Sequence, residues 1–239
     1  MNHWIDVETP DGSFKAYVAL PFAASAPRSA PRSAPSVVVL QEIFGVNADL
    51  RQTCDELAAK GYIALSPDLF WRMKPGLDIT DQTEAEWKQG FDFYTAFDIE
   101  KGIADIGATI RAARALEGAS GKIGLMGYCL GGLMTLITAS RTHVDAAVAY
   151  YGGNSELHLS EVKTLASPLM FHVGENDEYI SQAAQRSIQA ALAERPDVQM
   201  FVYPGAKHAF ARHQGVNFNA DAAALANRRT DEFFVARLT

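Results

Sequence analysis

Residues 122–136 read KIGLMGYCLGGLMTL, an apolar run that closes on Cys129 between Gly127 and the pair Gly131 and Gly132. A strand that turns abruptly into a helix crowds its flanking positions, and it holds the residue at the apex in a strained backbone conformation. The stretch therefore predicts strand, turn and helix with Cys129 at the apex. The spacing Gly127-x-Cys129-x-Gly131 is that of a nucleophile elbow with cysteine in place of serine. At such a turn the sulfur sits by a helix N-terminus, where unpaired N–H groups and the helix dipole favour a thiolate and an oxyanion. The competing reading is a buried cysteine that happens to lie in a turn, which is common for this residue type.

Working outward, FKAYVAL, SVVVLQE, YIALSPD, KIGLMG, AAVAYYG, PLMFHVGE and VQMFVYPG read as strands. Helical patterns fall between them. These are NADLRQTCDELAAKG closed by Gly61, a long stretch from about Asp81 to Glu117 that breaks near Asp98, the run from Leu130, SQAAQRSIQAALAE, and a last helix near DAAALANRRTDEFFVARL. Strands such as VVVL and LMFHV are apolar on consecutive residues, as burial on both faces of a parallel sheet requires. The alternation predicts an α/β fold, a mostly parallel central sheet flanked by helices on both faces. Residues 1–239 read as one domain, with a Pro/Ala/Ser/Arg-rich surface loop near 23–36.

Composition narrows the function. The chain has 239 residues, 48% of them hydrophobic, and a formal charge of -7 without a basic stripe, which argues against a nucleic-acid partner. No apolar stretch approaches the ~20 residues of a membrane span, and the N-terminal segment lacks the pattern of a signal peptide. A soluble cytoplasmic chain is expected. Its two cysteines, Cys54 and Cys129, cannot build a disulfide framework. No metal-ligand spacing, phosphate-binding loop or dinucleotide fingerprint occurs, so neither metal nor cofactor is expected.

In such sheets reactive groups gather at the carboxyl ends of the strands. The residues just after the strands are Glu42, Cys129, Asp177 and His208. Cys129, Asp177 and His208 follow one another in the order nucleophile, acid, histidine, which is the chain order of the α/β-hydrolase fold. His208 would take the thiol proton and later protonate the leaving group, while Asp177 would orient the imidazole and offset its charge. Glu175 and Glu178 are rivals to Asp177, because only loop geometry separates them. His3, His143, His158 and His213 read as surface residues, His172 as a hydrogen-bonded core histidine, and Cys54 as a small core residue.

Four segments, QEIFGVN (41–47), GYCLGG (127–132), YYGG (150–153) and HAFAR (208–212), together resemble the dienelactone hydrolases, or carboxymethylenebutenolidases. The similarity runs over nearly the whole chain. It implies a cysteine hydrolase that opens the lactone ring of dienelactone to a maleylacetate-type diacid during the breakdown of aromatic compounds. It also implies a monomer with a small-molecule lactone or ester substrate. By the same resemblance Glu42 holds the thiol at rest, the backbone N–H groups of Leu130 and Ile43 form the oxyanion hole, and Arg212 binds a substrate carboxylate.

Physically, a carboxylate beside a thiol disfavours the thiolate and guards it against oxidation. A strand-end salt bridge is the alternative reading of Glu42, and a solvated loop arginine that of Arg212. The remaining wall is expected from Phe44 and from the helix EAEWKQGFDFYTAFD, through Trp87, Phe91 and Tyr94, with Lys88 standing in for an arginine usual in the family. Residues 87, 91 and 94 equally suit a helical packing stripe. Ala209 replaces a usual serine. These departures leave open a broad carboxylesterase of uncharged esters. A thiol redox or ligand-binding protein without turnover is the remaining alternative.

Overall fold

The computed structural model describes residues 2–21 and 33–239. In chain order the elements are β1 (His3–Thr9), β2 (Gly12–Ala19), β3 (Ala34–Leu40), α1 (Ala48–Ala59), β4 (Ile63–Pro67), α2 (Glu84–Ala96), α3 (Ile99–Ala115), β5 (Ala119–Tyr128), α4 (Leu130–Arg141), β6 (Ala146–Tyr150), β7 (Leu169–Gly174), α5 (Gln182–Leu192), β8 (Val198–Tyr203) and α6 (Ala220–Leu238). The strands form one sheet in the order β1-β2-β4-β3-β5-β6-β7-β8. From β4 to β8 neighbouring strands are parallel, whereas β1 and β2 add an antiparallel edge.

Val37 to Leu40 of β3 and all of β6 are fully buried, so helices cover both faces of the sheet, as the unbroken apolar runs require. Helix starts follow their caps. Asn47, Thr83 and Asp98 each accept a hydrogen bond from the backbone three residues on, and the Thr83 hydroxyl in turn donates to the Glu86 carboxylate (2.7 Å). Asp98 is what breaks the long helical stretch into α2 and α3.

Leaving β3, the chain passes through α1 to β4 on one side, then crosses by α2 and α3 to β5 on the other. The loops after β3 and β5 therefore diverge and leave a crevice at the carboxyl end of the sheet. Glu42 follows β3 and Cys129 follows β5, so the topology alone sets both at that crevice.

Two differences from expectation concern the N-terminal region. β1 was not expected; it is an edge strand on which only Val7 is buried, so it lacks the alternating apolar signal of a half-buried strand. The loop near 23–36 is shorter at its end, because residues 34–36 already belong to β3, where Ser36 is buried and paired with Ile123 and Ile63. Residues 23–32 of that loop lie outside the described residues.

Candidate active site

The end of β5 enters α4 through Cys129, whose φ of 53° and ψ of -112° lie in a region that side-chain-bearing residues rarely occupy. The turn is held by backbone bonds: Cys129 N–H donates to the Tyr150 carbonyl (3.1 Å) and Gly131 N–H to that of Gln41 (2.9 Å). A methyl group at Gly127 would lie 2.2 Å from the Gly131 carbonyl oxygen, and one at Gly131 would lie 2.4 Å from that of Leu40. The glycines are thus demanded by close backbone approach. No side chain caps α4, which leaves its first turn facing the half-buried sulfur.

His208 and Asp177 arrive from the loops after β8 and β7. His208 Nδ1 lies 3.0 and 2.9 Å from Asp177 Oδ1 and Oδ2, with both side chains buried. Oδ1 also accepts from the Tyr179 and Ile180 backbone N–H groups (2.9 and 3.0 Å), so the carboxylate is fixed from behind. Geometry separates it from its rivals: Glu178 accepts from the His208 backbone N–H (3.2 Å), and Glu175 from that of Gly205 (2.9 Å). The ring packs between Tyr151 and Tyr179, with centroids 5.1 and 4.8 Å away.

Burial by itself lowers the pKa of His208. Electrostatic coupling to Cys129 and the bonded Asp177 outweigh it and push the imidazole up to about 10. Its Nε2 is buried without a hydrogen-bond partner among the described residues. A ring tied at Nδ1 and left open at Nε2 can take up and return a proton on the side of the thiol.

Glu42 and Arg212 meet across 170 residues of sequence: Arg212 Nε donates to Glu42 Oε2 at 2.5 Å. The resemblance assigned Glu42 to the thiol; the salt bridge engages Oε2, and Oε1 is buried without a hydrogen-bond partner among the described residues. Arg212 Nη1 donates to Asp81 Oδ2 at 2.6 Å, and its guanidinium stands over Phe44, 4.6 Å from the ring centroid. Arg212 is 5% exposed, which replaces the solvated-arginine reading with a buried ion-pair centre.

Cys129, His208 and Arg212 line one cavity of about 100 Å³ together with Ile43, Phe44, Trp87, Phe91, Tyr94 and Tyr179. Trp87 meets Phe44 edge-on and stacks on Phe91, so the packing stripe and the cavity wall are the same surface. Leu130 is buried at the start of α4, and the Gly131 bond to Gln41 brings that start against the loop bearing Ile43.

Lys88 is not brought in. One position round the helix from Trp87, it is exposed and pairs with Asp92 (2.7 Å), so it cannot replace an arginine in the cavity. Asp81, Asn154 and Tyr179 were not foreseen. Asn154, left-handed at φ 64°, donates to the Tyr94 hydroxyl (2.6 Å) from just beyond the YYGG stretch.

His172 is a core histidine, bonded to Thr230 (3.1 Å) and Tyr203 (2.8 Å), and burial, aided by Arg229, lowers its pKa to about 3. Cys54 is buried in α1, and its thiol is pushed far up by desolvation, the opposite of a reactive cysteine. Among the described residues no group of three His, Cys, Asp or Glu side chains is arranged to hold a metal ion, and no helix is long and apolar enough to cross a membrane.

The chain is 39% identical over 234 residues to a carboxymethylenebutenolidase of Pseudomonas putida, covering 98% of this chain and 96% of the relative. It is 34% identical over 221 residues to carboxymethylenebutenolidase 1 of Cupriavidus pinatubonensis, covering 92% and 91%. Among solved structures, a dienelactone hydrolase of Anabaena variabilis superposes with a TM-score of 0.70 at 18% identity, over 100% of this chain and 99% of that one. A dienelactone hydrolase-like promiscuous phosphotriesterase from metagenomic libraries does so with 0.80 at 20% identity, with the same coverage. At these identities the structural likeness shows the α/β-hydrolase fold. The family match spans residues 14–238. On that match and the identity to its relatives, the chain belongs to the dienelactone hydrolase family.

Proposed function

We propose that this chain is a cysteine-dependent hydrolase that opens the ring of dienelactone, or of a close unsaturated lactone, to a maleylacetate-type diacid in aromatic-compound breakdown. The observation that carries the reading is a strained Cys129 at a helix N-terminus that lines the same cavity as a buried His208 tied to Asp177. The relatives' names supply the substrate class.

Cys129 Sγ attacks the lactone carbonyl as a thiolate, its proton having passed to His208. The developing oxyanion is received by the backbone N–H groups of Leu130 and Ile43, main-chain donors that need no reorganisation. Collapse breaks the C–O bond of the ring and leaves a thioester on Cys129 with an enolate leaving group; His208 returns the proton. Water, deprotonated by the same imidazole, then attacks the thioester and frees the thiol. Arg212 faces the substrate carboxylate, and the aromatic wall holds its flat ring. The compartment is cytoplasmic and the partner a small molecule.

A second reading, hydrolysis of uncharged esters, is favoured by one observation: the charge of Arg212 is already met by Glu42 and Asp81. Steady-state turnover of cis- and trans-dienelactone beside p-nitrophenyl acetate, for wild type and Cys129→Ala, separates the readings. Fast dienelactone turnover that disappears in the variant is expected. Turnover of the neutral ester alone would move the function to the esterase, and full lactonase activity in Cys129→Ala would remove the thiol mechanism.

A further inference from the structure

We propose that Asp81 is a specificity-determining residue: by sharing Arg212 with Glu42 it lowers the cavity's preference for carboxylated over uncharged acyl groups. The inference rests on the thiol hydrolase reading above but adds to it a residue that neither the chemistry nor the aromatic wall required.

Asp81 is 5% exposed and lies in the loop before α2, 131 residues from Arg212 in sequence. Oδ2 accepts from Arg212 Nη1 (2.6 Å) and from the Val216 backbone N–H (2.9 Å), while Oδ1 accepts from Gln82 Nε2 (2.6 Å). Its backbone carbonyl accepts from the Trp87 indole (2.9 Å). One residue therefore joins the wall helix to the loop that carries His208 and Arg212.

Apart from His208, Arg212 is the only cationic side chain lining the cavity among the described residues. It is held by two buried carboxylates, and the three groups sum to one negative charge. An anionic substrate reaching for the guanidinium meets a cation already neutralised and a second carboxylate behind it. Buried charges couple strongly because water screens them poorly, so the carboxylate at 81 is felt at the cavity. An uncharged acyl chain meets only the apolar wall and loses nothing.

The test compares p-nitrophenyl valerate with the mono-p-nitrophenyl ester of glutaric acid, which differ by a terminal methyl against a carboxylate. Asp81→Asn keeps the shape and an acceptor oxygen for Arg212 but removes the charge. The ratio of kcat/KM, charged over uncharged ester, is expected to rise about tenfold, mainly through a lower KM for the charged ester.

A ratio unchanged within twofold in Asp81→Asn would overturn the proposal. Circular dichroism establishes folding, and Asp81→Ser, which keeps a hydroxyl for the Val216 N–H, is the second variant should the amide fail to fold. Cys129→Ala is expected to lose both ester activities. Retention of both would sink the thiol reading on which the proposal rests, whereas the ratio reports on Asp81 alone.

Discussion

Replacing Asp177 by asparagine tests the catalytic geometry through a single proton. Asp177 Oδ1 accepts from two backbone N–H groups, Tyr179 and Ile180, at 2.9 and 3.0 Å. An asparagine must keep its carbonyl oxygen there, since turning the amide would set NH₂ against both donors. Its Nδ2 then takes the place of Oδ2, 2.9 Å from His208 Nδ1, and opposes the N–H there, leaving only Oδ1, 3.0 Å away and already bonded to two backbone N–H groups, to accept it. The imidazole escapes by moving its proton to Nε2, the nitrogen that must be free to take the thiol proton. The variant thus folds with the wrong tautomer.

In hydrolases built on the same logic this exchange costs about 10⁴ in kcat, equivalent to about 5 kcal/mol of barrier. For this chain we expect a fall in kcat of roughly 10³ to 10⁴ for ester hydrolysis at pH 7.5. The KM should change far less, and the pH profile should move, because Asp177 is one of the groups that raise the His208 pKa. The assay is steady-state hydrolysis of p-nitrophenyl acetate across pH 6 to 9, with circular dichroism on the variant. A fall of less than tenfold with an unchanged pH profile would refute the orientation argument.

Three further outcomes follow from other parts of the structure. In Cys129→Ser the ionisable thiol that raises the His208 pKa is replaced by a hydroxyl, so the imidazole titrates well below wild type, measured by NMR of the ring protons; an unchanged titration would uncouple the two residues. His172 is neutral in the fold, with its pKa lowered to about 3 from an ordinary 6.5. The unfolded chain therefore binds the extra proton between those values, and stability is lost as pH falls through that window. By pH 4.5 the loss from this residue is roughly 3 kcal/mol, and denaturant melts of His172→Asn should lose less between pH 7 and 4.5 than wild type; equal slopes would contradict it. Lys88→Ala should leave kcat/KM within twofold for charged and uncharged esters, because its ammonium faces Asp92 and solvent; a tenfold loss would return it to the cavity.

What the sequence made legible is what local pattern governs. Consecutive apolar residues mark the central strands, Asp98 marks the break between α2 and α3, and Gly127 and Gly131 mark the elbow because backbone atoms approach where their side chains would be. Asp177 could be named but not separated from Glu175 and Glu178, since the three differ only in where one turn points them. β1 was missed because an edge strand with a single buried residue has no pattern to read.

Lys88 shows the reverse error. It neighbours Trp87 in sequence, yet one step along a helix is a turn of about 100°, which carries it off the face shared by residues 87, 91 and 94. Asp81 was invisible for a different reason: its partner lies 131 residues away, and an aspartate ahead of a helix reads as part of a cap. The Glu42 salt bridge was one of two readings open at the sequence level. Whether it forms depends on how far Arg212 reaches back across the crevice, which no local pattern encodes.

The central claim is that Cys129 carries the acyl group. Rapid quench of wild type with p-nitrophenyl acetate, followed by mass spectrometry of the peptide spanning residues 122–141, measures it most directly. A burst of nitrophenol close to one equivalent and an acetyl increment on that peptide at Cys129 are expected, both absent in Cys129→Ala. Turnover at the wild-type rate with no adduct on Cys129, or a burst that survives in Cys129→Ala, would contradict it.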